Sequence, residues 1–159
     1  MTRSHIGKTL WIAMAQPATH DAAGFAALTW VKVNGVQTLP QLGQDHNNID
    51  VPDLESGEVM GLKGAATGRD SVASFRTVAN DTGQGNVRTL AEPPSDGLSS
   101  IRITRATGAA GAPQAGDEVE YAKGYFHSFT PIQGDDSTHE GFSVNFKQNG
   151  RTISATFPA

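Results

Sequence analysis

The search for chemistry starts at the histidines, which stand at positions 5, 20, 46, 127 and 139. No two lie two or four residues apart, so no metal clip forms on one face of a strand or helix. GDDSTHE, 134–140, gathers Asp135, Asp136, His139 and Glu140. It lacks the spacing and the turn glycine of a calcium loop, and a metal-dependent hydrolase built on it competes with a solvated connection. Asp117, Glu118 and Glu120 imitate a glycosidase pair, but such a pair is defined by carboxylate separation in space. Gly83-Gln84-Gly85 opens like a dinucleotide fingerprint, with Arg88 where the third glycine belongs. Neither a P-loop nor a G-x-S-x-G elbow occurs. Cysteine is absent, which removes disulfides, thiolate metal sites and cysteine nucleophiles. Trp11, Trp30 and Tyr125 offer material for a sugar-stacking platform. The two tryptophans, however, sit beside Leu10, Ile12, Val31 and Val33, as packing residues do. The inventory points away from an enzyme, a metal or a cofactor and toward a binding or assembly protein.

The elements that must position these residues are mostly extended. With 159 residues, 18 glycines, 8 prolines and 37% hydrophobic residues, the chain reads as one turn-rich domain. Net charge is −4, which argues against a nucleic-acid grip built on clustered Lys and Arg. No apolar run reaches membrane-span length. The opening MTRSHIGKTLWIAMAQ has the basic head and short apolar run of a signal peptide, and TLWIAM reads equally as a strand.

Strands are predicted at 9–14, 29–33, 36–39, 70–78 and 100–106, with a Pro/Ala/Gly connector at 15–24. In 70–78, Ala73 and Phe75 share one parity. In SIRITRA, Ile101 and Ile103 face one way, and Arg102 and Thr104 the other. EVEYAKGYFHSFTPI, 118–132, reads as a strand pair or one long strand bulged at Gly124. Asn34-Gly35 and Asn149-Gly150 are turn signals. A C-terminal hairpin about Asn149-Gly150 would set Phe146 against Ile153, Val144 against Ala155 and Phe142 against Phe157, leaving one dry face and one wet one. One helix is predicted, with Asp81 as N-cap, Gln84 completing a capping box, an apolar stripe of Val87, Leu90 and Ala91, and Pro93-Pro94 as terminator. The expected fold is mainly β: an antiparallel β-sandwich or barrel of about eight strands with one flanking α-helix.

GQDHNNIDVPDLESGEVMGLKGAATG, 43–68, reads as a long acidic loop. Asp45, Asp50, Asp53, Glu55 and Glu58 stand against Lys63, while Ile49, Val51, Leu54, Met60 and Leu62 are apolar side chains that water does not suit.

The element order resembles that of the tail tube proteins, or major tail proteins, of long-tailed, siphovirus-type phages. The resemblance is carried by GKTLWIAM, WVKVNGVQTLPQLG, IDVPDLESGEVMGL and DSVASFRTVANDTGQGNVRTL, which span nearly the whole chain. Pro52 stands where relatives often have threonine. The resemblance implies a single tail-tube domain over 1–159, similar to the type VI secretion tube protein, with a flexible arm at 1–8. It implies no further C-terminal domain of the kind some members carry. It also implies hexameric rings stacked into a tube in the virion, assembled in the host cytoplasm alongside tail tip, tape measure and tail terminator proteins. DNA would pass through the lumen unbound. On that reading the 43–68 segment waits disordered, and Ile49, Val51, Leu54, Met60 and Leu62 are buried between rings. Asp117, Glu118 and Glu120 are the acids expected to face the lumen and repel phosphate.

Overall fold

The computed structural model describes residues 2–158. Its strands are β1 (Lys8–Ala13), β2 (Val31–Val33), β3 (Val36–Thr38), β4 (Gln44–Pro52), β5 (Val59–Gly68), β6 (Asp70–Arg76), β7 (Leu98–Arg105), β8 (Glu118–Ile132), β9 (Gly141–Gln148) and β10 (Ile153–Thr156). The predicted helix is α2 (Thr82–Ala91). A second, five-residue helix, α1 (Ala22–Ala26), lies where the sequence suggests only a connector. Asp21 explains it, because its carboxylate accepts from the Gly24 N–H at 2.7 Å as an N-cap.

Eight strands form one antiparallel sheet in the order β2-β1-β7-β8-β9-β6-β3, with β10 added on β8. The end strands β2 and β3 are joined by Asn34-Gly35, so the two ends of the sheet are held together and it curls into a near-closed barrel. Asn34-Gly35 is therefore a corner between strands that do not pair. Asp81 clamps it, accepting from the Asn34 backbone and side-chain amides at 3.2 and 2.6 Å. Asp81 also caps α2 through the Gln84 N–H at 3.0 Å. Gln84 does not reach back as a capping box would. Buried at this corner, its amide donates to Asn34 O and Arg76 O and accepts from the Val78 N–H.

The inner face of the curled sheet packs Leu10, Ile12, Ala73, Phe75, Ile101, Phe126, Phe142, Val144 and Phe146 against Val87 and Leu90 of α2. Aromatic pairs organise it, with Phe75 stacked on Phe142 and Phe126 tilted on Phe146, both at 5.0 Å. A second cluster lies on the outer side, where Phe25 of α1 stacks on Tyr121 at 5.2 Å beside Trp30, Ile153 and Phe157. Strand β7 is thus covered on both faces, and Arg102 and Thr104 are buried rather than wet. The Arg102 guanidinium lies over the rings of Trp11, Trp30 and Phe157 at 4.6, 5.0 and 5.5 Å. Its planar, weakly hydrated charge suits such a stack.

The expected C-terminal hairpin does not form. Strand β9 pairs with β8 from Ile132 back to Gly124, and β10 continues along the same edge of β8 from Tyr121 to Glu118. Both run antiparallel to β8, so the chain keeps its direction through Asn149-Gly150. That dipeptide marks an interruption in the edge, and Gly150 takes the left-handed φ of 91° there. Phe146 therefore opposes Phe126 and Ser71, and Ile153 opposes Tyr121. Of the apolar pairs of the predicted hairpin, Phe142, Val144 and Phe146 face the inner core, whereas Ile153, Ala155 and Phe157 pack in the outer cluster.

The bulge in β8 also moves. Gly124 stays in register with Ser99 and Gln148, and a side chain there would run into the carbonyl of Lys147. The register shift falls between His127 and Thr130, with Ser128 at φ 58°.

Candidate assembly surface

The segment 43–68 is not an irregular loop. It is a two-stranded antiparallel ribbon, β4–β5, forming a sheet of its own. Its register sets Ile49 opposite Leu62 and Val51 opposite Met60, and those four side chains share one face. Asn48/Lys63 and Asp50/Gly61 occupy the other. The period of two in Ile49/Val51 and Met60/Leu62 is the signal that identifies these strands, diluted by the glycines and acids between them. Nothing covers the apolar face: Ile49, Val51, Met60 and Leu62 are 50, 41, 65 and 49% exposed.

The tip of the ribbon is ordered by Asp53. Its carboxylate accepts from the Glu55 N–H at 3.0 Å and the Ser56 hydroxyl at 2.9 Å, and its backbone bonds with Glu58 and Gly57. These bonds, led by that from Glu55, hold the Asp53 carboxyl below its ordinary pKa. The tip carries Leu54 fully into solvent.

At its base the ribbon joins the barrel through a narrow neck. Gln148, buried at the interruption after β9, accepts from the Gly43 N–H at 2.9 Å and donates to Gly150 O and Thr152 Oγ1. Lys147 Nζ donates to Gly68 O at 2.7 Å, and Arg69 Nη2 meets Asp45 at 3.1 Å. The last is an exposed pair that contributes little. Gln148 is the residue of this site that sequence reasoning misses, since a glutamine before Asn-Gly reads as surface.

The three acids expected at the lumen separate. Glu118 and Glu120 are exposed, and Glu118 approaches Arg3 at 3.5 Å. Asp117 is only 8% exposed. Its carboxylate accepts from the N–H groups of Gln114 and Thr107 at 2.7 and 3.0 Å and from the Thr107 hydroxyl at 2.8 Å. Those bonds, that from Gln114 foremost, lower its pKa against the opposing effect of burial. Asp117 fastens the 107–117 connection.

The other candidate sites do not assemble. Trp11 and Trp30 meet at Arg102, whereas the Tyr125 ring lies by His127 at 5.5 Å, so the three aromatics form no common platform. In 134–140, Asp135 accepts from Ser137 N and Oγ, closing its own turn. Among the described residues no group of three or more His, Asp or Glu side chains is arranged to hold a metal ion.

The fold as a whole matches solved structures. The chain matches one in the sheath/tube terminator complex of the PVC extracellular contractile injection system, with TM-score 0.65 and 10% identity, covering 98% of this chain and 97% of that one. It matches the SPP1 tail tube with TM-score 0.64 and 10% identity, over 100% of this chain and 81% of that. It matches a chain of the PVC sheath-tube complex with TM-score 0.63 and 10% identity, over 94% and 88%. This is the tail-tube fold. At such identities the likeness concerns the fold alone. No protein-family model matches, and neither does any curated protein. The barrel and α2 hold the packed core, and β4–β5 carries an exposed apolar face.

Proposed function

We infer that the chain is the structural subunit of a tube, assembling head to tail through the β4–β5 ribbon. The observation that carries this reading is the uncovered apolar face of the ribbon, Ile49/Leu62 and Val51/Met60, with Leu54 at its tip. A free two-stranded hairpin is marginal in water, so such a face is stabilised when another surface covers it. Burying the exposed remainder of these five side chains would contribute on the order of 5 kcal/mol per ribbon before association costs. Contacts between unlike patches on successive copies build an open filament. The fold supports the same reading, since its structural neighbours belong to tubes and their terminators.

In its fuller form the proposal is a siphovirus-type phage tail tube in the virion: hexameric rings of this chain, stacked between tail tip and tail terminator around a tape measure, conducting DNA. The net charge of −4 fits a conduit that repels phosphate. The similarity to a sheath/tube terminator chain supports a second reading, a ring that ends a tube.

Negative-stain microscopy of the concentrated protein separates them. A tube subunit gives stacked rings and tubes of open length, and a terminator gives single rings. A chain that stays monomeric at every concentration, even with a tail-tip seed, overturns both.

A further inference from the structure

We propose that the tip of the β4–β5 ribbon docks in a groove of the next copy, between the start of β1 and the segment 36–42. This rests on the tube reading and names the surface that receives the ribbon.

The groove has a volume of about 820 Å³, is open to solvent, and lies between the start of β1 and the segment 36–42, with Ile103 of β7 and Glu120 of β8 at its floor. Ile6, Val36, Leu39, Leu42 and Ile103 give it apolar walls. One wall is fixed in place by Arg105, whose guanidinium donates to Ser4 O at 2.7 Å and Ile6 O at 3.1 Å. His5 and Lys8 stand in the lining, with Glu120 as its acid. The arm that forms this wall, residues 2–8, carries Arg3, His5 and Lys8 and no carboxylate.

The ribbon tip has the complementary character. It presents one aliphatic side chain, Leu54, on a turn already ordered by Asp53, and surrounds it with Asp50, Glu55 and Glu58. An acidic rim around an apolar knob thus meets an apolar groove whose arm-side wall carries Lys8 and His5. The chain's own tip does not fill its own groove, because Leu54 and its neighbours are fully exposed. A second copy is therefore the occupant. Knob and groove are different patches of one molecule, so the contact propagates rather than closing a two-fold pair.

The absence of cysteine makes the test clean. Two single variants, Glu55→Cys on the tip and Thr38→Cys in the groove lining, both alter exposed side chains and leave Leu54 in place. They are mixed with one partner epitope-tagged, assembled, oxidised and resolved on non-reducing gels. A disulfide needs Cβ atoms within about 4.5 Å, so bonding reports direct apposition. The expected result is a shift of both variants into a mixed 55–38 dimer in assembled protein, lost on reduction and absent when the protein is diluted to monomer before oxidation. Tubes that form normally without the mixed dimer, or with only 55–55 dimers, overturn the groove assignment and leave the tube reading standing. Unsubstituted protein that never forms rings or tubes overturns the tube reading and this inference with it.

Discussion

Two residues show how environment decides the role of a charge. Asp117 and Arg102 read from sequence as members of an acidic run and of the strand face opposite Ile101 and Ile103. Asp117 is instead a fastener, accepting from Gln114 and Thr107, and Arg102 is a stacking element between tryptophans. Burial lowers the Arg102 pKa from its ordinary value, opposed by neighbouring Tyr121. The packing role of Trp11 and Trp30 was legible because both have apolar residues beside them in the sequence. The partner they pack on was not, because the register Trp11↔Arg102 is a property of the sheet. Asp117 has a pH signature. Its folded-state pKa is depressed, so its stabilisation is fully present above the unfolded value of about 3.9 and is lost as pH falls through the lower folded value. Thermal melts of Asp117→Asn should show a deficit against the unsubstituted chain at neutral pH. That deficit should shrink as the pH is taken from about 4 toward 2. A deficit that stays constant with pH would mean that the charge of Asp117 contributes nothing.

Among the elements, α2 was legible from its cap and stripe, and Asp81 performs as N-cap while also holding the 34–35 corner. The two Asn-Gly dipeptides were misleading for a common reason. The turn signal reports a backbone that bends, and only tertiary pairing decides whether the flanking strands meet. At 34–35 they pass to opposite ends of the sheet, and at 149–150 they follow one another along β8. The 43–68 ribbon was hidden by glycines and acids that break the expected run of strand formers. Because its contacts with the barrel are confined to the neck, removing residues 47–62 should leave a folded barrel that does not polymerise. Circular dichroism and sedimentation of that variant check both halves of the expectation. A variant that unfolds would show that the ribbon belongs to the core.

For the whole molecule, the fold class was readable from the number of short alternating strands and the single amphipathic helix. The closure of the sheet was not, because it depends on β2 and β3 meeting at a corner that no local pattern announces. Assembly linked to folding has a thermodynamic consequence. On the tube reading, assembly binds only folded copies, so the melting temperature should rise with protein concentration. The 47–62 deletion should melt at one temperature throughout. Equal concentration dependence in both, followed by differential scanning calorimetry, would place the self-association elsewhere than the ribbon. The narrow neck at Gly43, Gly68 and Gln148 carries one further implication. Because Ile49 and Met60 lie beyond the neck, substitutions at those positions should leave the barrel's own packing unchanged. On the tube reading, two chains that share one barrel and differ in the ribbon face should each assemble with their own kind and not with the other.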